Sequence, residues 1–140
     1  MTSGNRCAGV LLAMLSLFTV GCSNDQDDAA VGEGTTTGAG MDIGFTSTVP
    51  PKSGDNTFDV VVRKDGVAVE DATVTAVFSM AAMPSMNMPE MRSAATLPSA
   101  GGGHYRGTGQ LSMAGTWNVR VRVTRDGQEL GSKSLSIVAK

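Results

Sequence analysis

The residues best suited to binding chemistry in this sequence are methionines, and most of them are clustered. Residues 80–91 read MAAMPSMNMPEM and hold five of the nine methionines in the chain. A thioether sulfur is a soft, neutral donor that binds Cu(I) well and hard cations poorly. The cluster therefore indicates a Cu(I) site outside the cytoplasm. Its candidate ligands are Met80, Met83, Met86, Met88 and Met91.

The spacing of these methionines is compatible with convergence on one ion. Met80, Met83 and Met86 are three residues apart, as are Met88 and Met91. In an extended, proline-containing segment with about three residues per turn, such positions share a face. Met86 and Met88 share a face if the segment is a strand instead. In either conformation several long side chains can reach one ion.

Other interpretations of the cluster do not involve a metal. Methionine fills irregular apolar gaps and forms adaptable binding surfaces, and an exposed methionine is also a target for oxidation. A core strand would use Val, Ile or Leu and would not contain both Pro84 and Pro89. The cluster is therefore interpreted as a loop, which is either a metal site or an apolar surface that docks a partner protein.

Two residues outside the cluster are further candidate ligands. If residues 72–78 and 92–97 are antiparallel strands on either side of the cluster, the next strand, residues 105–111, runs back toward it. Met113 would then lie at the same end as the cluster. The same count places His104, the only histidine, at the opposite end, roughly 16 Å away at the rise of a strand. Met113 is an expected ligand, whereas the topology argues against His104.

Short alternating segments separated by turn signals predict an all-β fold. Residues 116–124 read TWNVRVRVT, which places Trp117 and three valines on one face of a strand. Residues 65–66 and 126–127 are both Asp-Gly, a strong hairpin signal. About seven such strands predict an antiparallel, immunoglobulin-like β-sandwich, in which Trp117 is the core anchor.

The amino terminus has the pattern of an export signal. Residues 1–6 are polar and carry Arg6, and residues 8–21 are almost wholly apolar. This run is too short to span a membrane and is typical of the core of a signal peptide. Cys22 follows a small residue at its end, which resembles a bacterial lipobox, although Thr19 stands where the lipobox prefers Leu. The alternative is an ordinary signal peptide followed by a free thiol.

These patterns divide the chain into three parts. Residues 1–21 are the predicted lipoprotein signal peptide, residues 22–40 an acidic, Gly- and Thr-rich flexible tether, and residues 41–140 the folded domain. Two acyl chains on Cys22 would suffice to hold the protein on a membrane. The expected location is the cell envelope, at the outer membrane facing the periplasm if the host is Gram-negative.

The composition argues against several other functions. A formal net charge of −2 provides no basic surface for nucleic acid. A single histidine does not suit the usual zinc sites, and no spacing supports a Ser-His-Asp arrangement. The triple glycine at residues 101–103 is not followed by a helical pattern, so it is not a phosphate-binding loop. The chain is therefore expected not to be an enzyme.

Three motifs taken together resemble one protein family. Residues 83–89 read MPSMNMP, residues 103–107 read GHYRG and residues 111–119 read LSMAGTWNV. In this order they resemble the YtkA-like family, which is related to FixH-type proteins, over about residues 57–138. The resemblance implies an exported or membrane-attached immunoglobulin-like sandwich, in a family loosely associated with copper handling and with the assembly of copper-containing respiratory oxidases.

The resemblance also implies a ligand set and a role. The matching positions are Met83, Met86, Met88 and Met113, whereas Met80 and Met91 fall outside the shared pattern. The sequence lacks the retained transmembrane helix of FixH-type members, which argues against a role inside an oxidase-assembly complex. The expected function is Cu(I) buffering, or exchange with a copper-accepting or copper-donating protein. The alternatives are a metal-free interaction module and a structural envelope lipoprotein.

Overall fold

The computed structural model describes residues 34–140, and this part of the chain is almost entirely β structure. The predicted signal peptide, Cys22 and most of the predicted tether lie outside the described residues. The strands are β1 (Gly34–Thr37), β2 (Met41–Ser47), β3 (Gly54–Lys64), β4 (Val67–Ala68), β5 (Thr73–Met80), β6 (Met91–Leu97), β7 (Ser99–Gly101), β8 (His104–Leu111), β9 (Gly115–Arg125) and β10 (Gln128–Ala139).

The strands form two antiparallel sheets. One has the order β1-β10-β9-β5-β6, and the other has the order β2-β3-β8-β7 with β4 paired to β3. If β2, β3, β5, β7, β8, β9 and β10 are taken as strands A to G, the sheets read A-B-E-D and G-F-C, the immunoglobulin arrangement. The prediction of an all-β, immunoglobulin-like sandwich is therefore confirmed.

The core lies between the two sheets and follows the alternation of the strands. Along β9, every second residue from Trp117 to Val123 is buried, and the residues between Trp117 and Val123 that point the other way are exposed. Trp117 is fully buried, as expected for the core anchor. Phe58 packs between Phe45 and Phe78, with ring centroids 5.2 Å and 4.9 Å away. Burying each large apolar side chain stabilises the fold by about 1.5–3 kcal/mol.

Part of the predicted tether, residues 34–37, is a strand in the structure. Gly34–Thr37 forms β1, which pairs with Ser132–Leu135 of β10, so the folded part begins before residue 41. The sequence GTTT contains no large apolar residue that would reveal a strand. Backbone hydrogen bonding to β10, rather than side-chain burial, therefore holds it in the sheet.

The strands around the methionine cluster are also longer than expected. β5 runs on to Met80, which is 4% exposed and belongs to the core. β6 begins at Met91, which is paired directly opposite Met80. The cluster therefore consists of the loop between β5 and β6 together with the last residue of β5 and the first residue of β6. No helix in the described part of the chain is long and apolar enough to cross a membrane.

Candidate metal-binding site

The connection between β5 and β6 is a compact loop. Met83 and Met88 form an isolated antiparallel bridge, in which each backbone N–H donates to the other residue's carbonyl, at 2.9 Å and 3.1 Å. Between them, Pro84–Met86 forms a single 3₁₀ turn, and Asn87 follows in the left-handed conformation at φ 53°. Proline presets the backbone angle at the start of such a turn, and Asn tolerates the left-handed region.

This loop differs from the conformations that the methionine spacing suggested. An extended segment with three residues per turn would align Met80, Met83 and Met86, and a strand would align Met86 with Met88. The residues 84–87 instead fold back on themselves, with Met86 N–H donating to Met83 O at 3.0 Å and Asn87 N–H to Pro84 O at 3.1 Å. The loop bends because a local hydrogen-bonded turn satisfies backbone groups that an extended segment would leave to water.

Met80 reaches the loop from inside the core. A Cβ atom placed on Gly115 would lie 2.9 Å from Met80 Cε and 3.8 Å from Met80 Sδ. The thioether of Met80 therefore occupies the space that a side chain at residue 115 would fill. Gly115 also has φ +141°, a conformation that other residues rarely adopt.

Met113 approaches from the turn between β8 and β9. Its carbonyl oxygen accepts a hydrogen bond of 3.0 Å from Trp117 Nε1, and its side chain packs partly buried against the core. A buried indole N–H needs a partner, so this bond holds the turn against the end of the sandwich. Trp117 therefore supports the candidate site as well as the core.

These elements bring four methionines to one open groove of about 500 Å³, called the methionine groove below. Two alanines, a glycine, a threonine and an asparagine complete it, and none of the lining residues is charged. Met80 is buried, Met83 and Met113 are partly buried, and Met86 is 60% exposed. The groove is lined by Met80, Ala81, Met83, Met86, Met113, Ala114, Gly115, Thr116 and Asn118.

Two candidate ligands, Met88 and Met91, do not line this groove. Met88 supplies the backbone bridge to Met83 that closes the loop. Met91 packs against the core beside Met80, because partners in an antiparallel pair face the same side of the sheet. The structure thus brings together Met80, Met83, Met86 and Met113, and leaves Met88 and Met91 beside them.

His104 lies at the other end of the sandwich. It begins β8, whereas Met113 follows the end of the strand at Leu111, so about 23 Å of strand separates the two ends. Its Nδ1 atom is 3.6 Å from Asp59 Oδ1. Arg106 donates two hydrogen bonds to Asp59 Oδ2, at 3.0 Å and 2.6 Å. His104 is therefore part of a charged surface group and is not brought to the methionines.

The comparisons with known proteins identify the family. The domain is a small immunoglobulin-like sandwich with an open methionine-lined groove at one end. The chain belongs to the YtkA-like family, whose model matches residues 36–122, from β1 into β9. The match includes every methionine of the groove. No match is found among curated proteins or among solved structures.

Five lining residues of the groove were not predicted from the sequence, and two of them, Gly115 and Asn118, shape it most clearly. Gly115 makes room for Met80, and Asn118 lies at the side of the groove on β9. The glycine in residues 113–117, which read MAGTW, contained the signal for this close contact, because glycine in a strand often marks a close approach of another group. Among the described residues, no group of three or more His, Cys, Asp or Glu side chains could hold a metal ion.

Proposed function

We propose that the protein binds Cu(I) through methionine thioethers in the cell envelope, and buffers the ion or passes it to another protein. The observation that carries the proposal is the convergence of Met80, Met83, Met86 and Met113, from three segments of the chain, on one groove. Thioethers select Cu(I) among the common metal ions because both are soft.

The surroundings of the sulfur atoms suit a monovalent soft ion. The lining contains no carboxylate, so hard cations such as Ca²⁺ and Mg²⁺ find few of the oxygen ligands they need. Thioethers bind without losing a proton, which makes such a site independent of pH over a wide range. Because Met86 is 60% exposed and the groove is open, a bound ion would remain accessible to a second protein.

The proposed ligand set differs from the expected one at a single position. Met83, Met86 and Met113 remain, and Met80 replaces Met88, because Met80 lines the groove and Met88 does not. The role is binding rather than catalysis. Lipidation at Cys22 would hold the domain at the membrane, at the outer membrane facing the periplasm if the host is Gram-negative.

The decisive experiment is an anaerobic Cu(I) titration against a chromophoric chelator. In a Met83→Leu/Met86→Leu/Met113→Leu variant, the affinity for Cu(I) should fall by about a hundredfold or more, equivalent to at least about 2.7 kcal/mol. Leucine keeps the volume and apolar character of methionine at a cost of less than about 1.5 kcal/mol per site. The variant should therefore remain folded, as checked by thermal unfolding.

A matched control variant uses the two methionines beside the groove. Met88→Leu/Met91→Leu removes two thioethers from the same cluster, and its Cu(I) affinity should stay within about threefold of the unaltered protein. Unchanged affinity in the triple variant contradicts the proposal. Equal losses in both variants would indicate binding by the cluster as a whole rather than by the groove.

A second candidate function is a metal-free docking module. The exposed Met86 in an uncharged groove favours this function, since flexible methionines form adaptable apolar contact surfaces. Leucine preserves apolar area, so a docking role should survive the triple Met→Leu variant that weakens Cu(I) binding. The same variant thus separates the two functions.

A further inference from the structure

A second groove lies on the outer face of the β1-β10-β9-β5-β6 sheet. Its volume is about 1030 Å³, roughly twice that of the methionine groove. Small polar side chains, including Ser79, Ser134 and Ser136, form much of its floor. Because these side chains are short, the longer side chains among them stand above the surface.

The long side chains in this groove are arginines. Arg92 projects from β6, and Arg120 and Arg122 project from β9. Arg92 contacts Glu90 at 2.7 Å, and Arg122 contacts Glu129 at 3.0 Å. Within residues 34–140, Arg120 forms no ion pair. The two exposed pairs contribute at most about 1 kcal/mol each, so their arginines can exchange to other carboxylates. We call this surface the arginine groove.

The arginine groove and the methionine groove adjoin each other. Asn118 lines both, and Ser79 of the arginine groove directly precedes Met80 of the methionine groove. Arg120 is two residues from Asn118 along β9, or about 7 Å at the rise of a strand. A protein bound over the arginines would therefore also cover the methionines.

We propose that the arginine groove docks an acidic surface of the protein that exchanges copper with the methionine groove. This inference rests on the proposed function. Guanidinium groups bind carboxylates in a two-pronged geometry that fixes orientation, and a local positive field accelerates encounter with an acidic partner. Residues 34–140 carry ten basic and nine acidic side chains, so the domain is nearly neutral and the arginines form a local positive patch on one face. Carboxylates beside the partner's copper site would align that site with Met86.

The proposal is tested with two synthetic peptides that carry Cu(I) on the same pair of methionines. One peptide ends in four aspartates and the other in four serines. Copper transfer to the mature full chain should be about tenfold faster from the aspartate peptide at low salt. The advantage should disappear at 1 M salt, where the screening length is about 3 Å. Equal transfer rates from the two peptides at low salt overturn the proposal.

Two variants that remove the same charge at different places show whether the advantage of the aspartate peptide depends on the arginine groove. Arg120→Gln/Arg122→Gln should abolish the advantage of the aspartate peptide without changing Cu(I) affinity at equilibrium. Arg63→Gln/Lys64→Gln removes the same charge from exposed residues of β3, in the other sheet, and should keep the advantage. Equal loss in both variants would show a general charge effect and overturn the assignment to this groove.

Two further experiments distinguish docking at the arginine groove from copper binding by the methionines and from occupation of the groove by the chain itself. Binding of a fluorescent, copper-free aspartate peptide that is lost only in Arg120→Gln/Arg122→Gln supports docking even if the protein binds no copper. The chain's own acidic residues before β1 are a competing occupant. If the aspartate advantage appears only after Asp25→Asn/Asp27→Asn/Asp28→Asn substitution, the groove belongs to that segment and the proposal is wrong.

Discussion

The two ends of the sandwich are built alike but carry different chemistry. At one end, the buried Trp117 donates a hydrogen bond to Met113 O at 3.0 Å. At the other end, the buried Tyr105 donates its hydroxyl proton to Val69 O at 2.7 Å and accepts from Ala72 N–H at 3.3 Å. In both cases an aromatic ring from the core holds a neighbouring loop in place through one polar atom.

The side chains that each end presents are opposite in character. The methionine end presents neutral thioethers in an open groove, whereas His104, Asp59 and Arg106 form a charged group on the outer face of the other sheet, toward the opposite end. A metal ion at the charged end would have to compete with the Arg106 guanidinium for Asp59. A thioether site has no such internal competitor, because it has no charge that the protein must neutralise. As a candidate metal site, the methionine end is therefore favoured over the charged end, although histidine is by type a common copper ligand.

Among the variants that test the difference between the two ends, the largest change in Cu(I) affinity is expected from filling the space beside Met80. In Gly115→Ala, the new Cβ would approach Met80 Cε to 2.9 Å, so the thioether must move out of its place in the groove. Cu(I) affinity should fall about tenfold, equivalent to about 1.4 kcal/mol. The φ of +141° should also lower the free energy of unfolding by about 1–3 kcal/mol, measured by urea denaturation.

Gly127→Ala is the control for the backbone effect. Gly127 lies in the β9–β10 turn at φ +77°, and nothing lies within 4 Å of an added Cβ. This variant should lose stability through strain but retain its Cu(I) affinity. If Gly115→Ala and Gly127→Ala bind copper equally well, Met80 is not a ligand.

A smaller effect on Cu(I) affinity is expected from removing the side-chain polar atom that holds each loop, Nε1 of Trp117 or the hydroxyl of Tyr105. Tyr105→Phe deletes a buried hydroxyl and should destabilise the domain by about 1–3 kcal/mol. Trp117→Phe deletes the indole N–H and also leaves a cavity in the core, so it should cost about 2–5 kcal/mol. Only Trp117→Phe should weaken Cu(I) binding, by about threefold, because only the Met113 turn belongs to the groove. Parallel urea and copper titrations of both variants provide the measurement. A copper defect in Tyr105→Phe would contradict the separation of the two ends.

The sequence predicted the scaffold better than the groove. The alternation around Trp117 was sufficient to predict the strand and its buried face, since burial along a strand follows directly from a period of two. The groove depends on contacts between distant segments, such as the thioether of Met80 over Gly115, which no local pattern encodes. The sequence predicted that Met86 and Met88 would share a face if the segment were a strand. In the structure, the left-handed Asn87 turns the loop back on itself, and Met88 instead forms a backbone bridge with Met83.

The smallest change in Cu(I) affinity is expected at His104, and this variant tests most directly which end of the sandwich binds copper. His104→Gln keeps a polar side chain of similar reach, and it removes the only imidazole of the chain. Because about 23 Å of strand lies between His104 and the methionine end, Cu(I) affinity should change by less than about twofold. The measurement is the same chelator competition, with Met86→Leu as the positive control, since Met86 lines the groove and is 60% exposed. A loss in His104→Gln as large as that in Met86→Leu would place the copper site at the charged end and reverse the comparison.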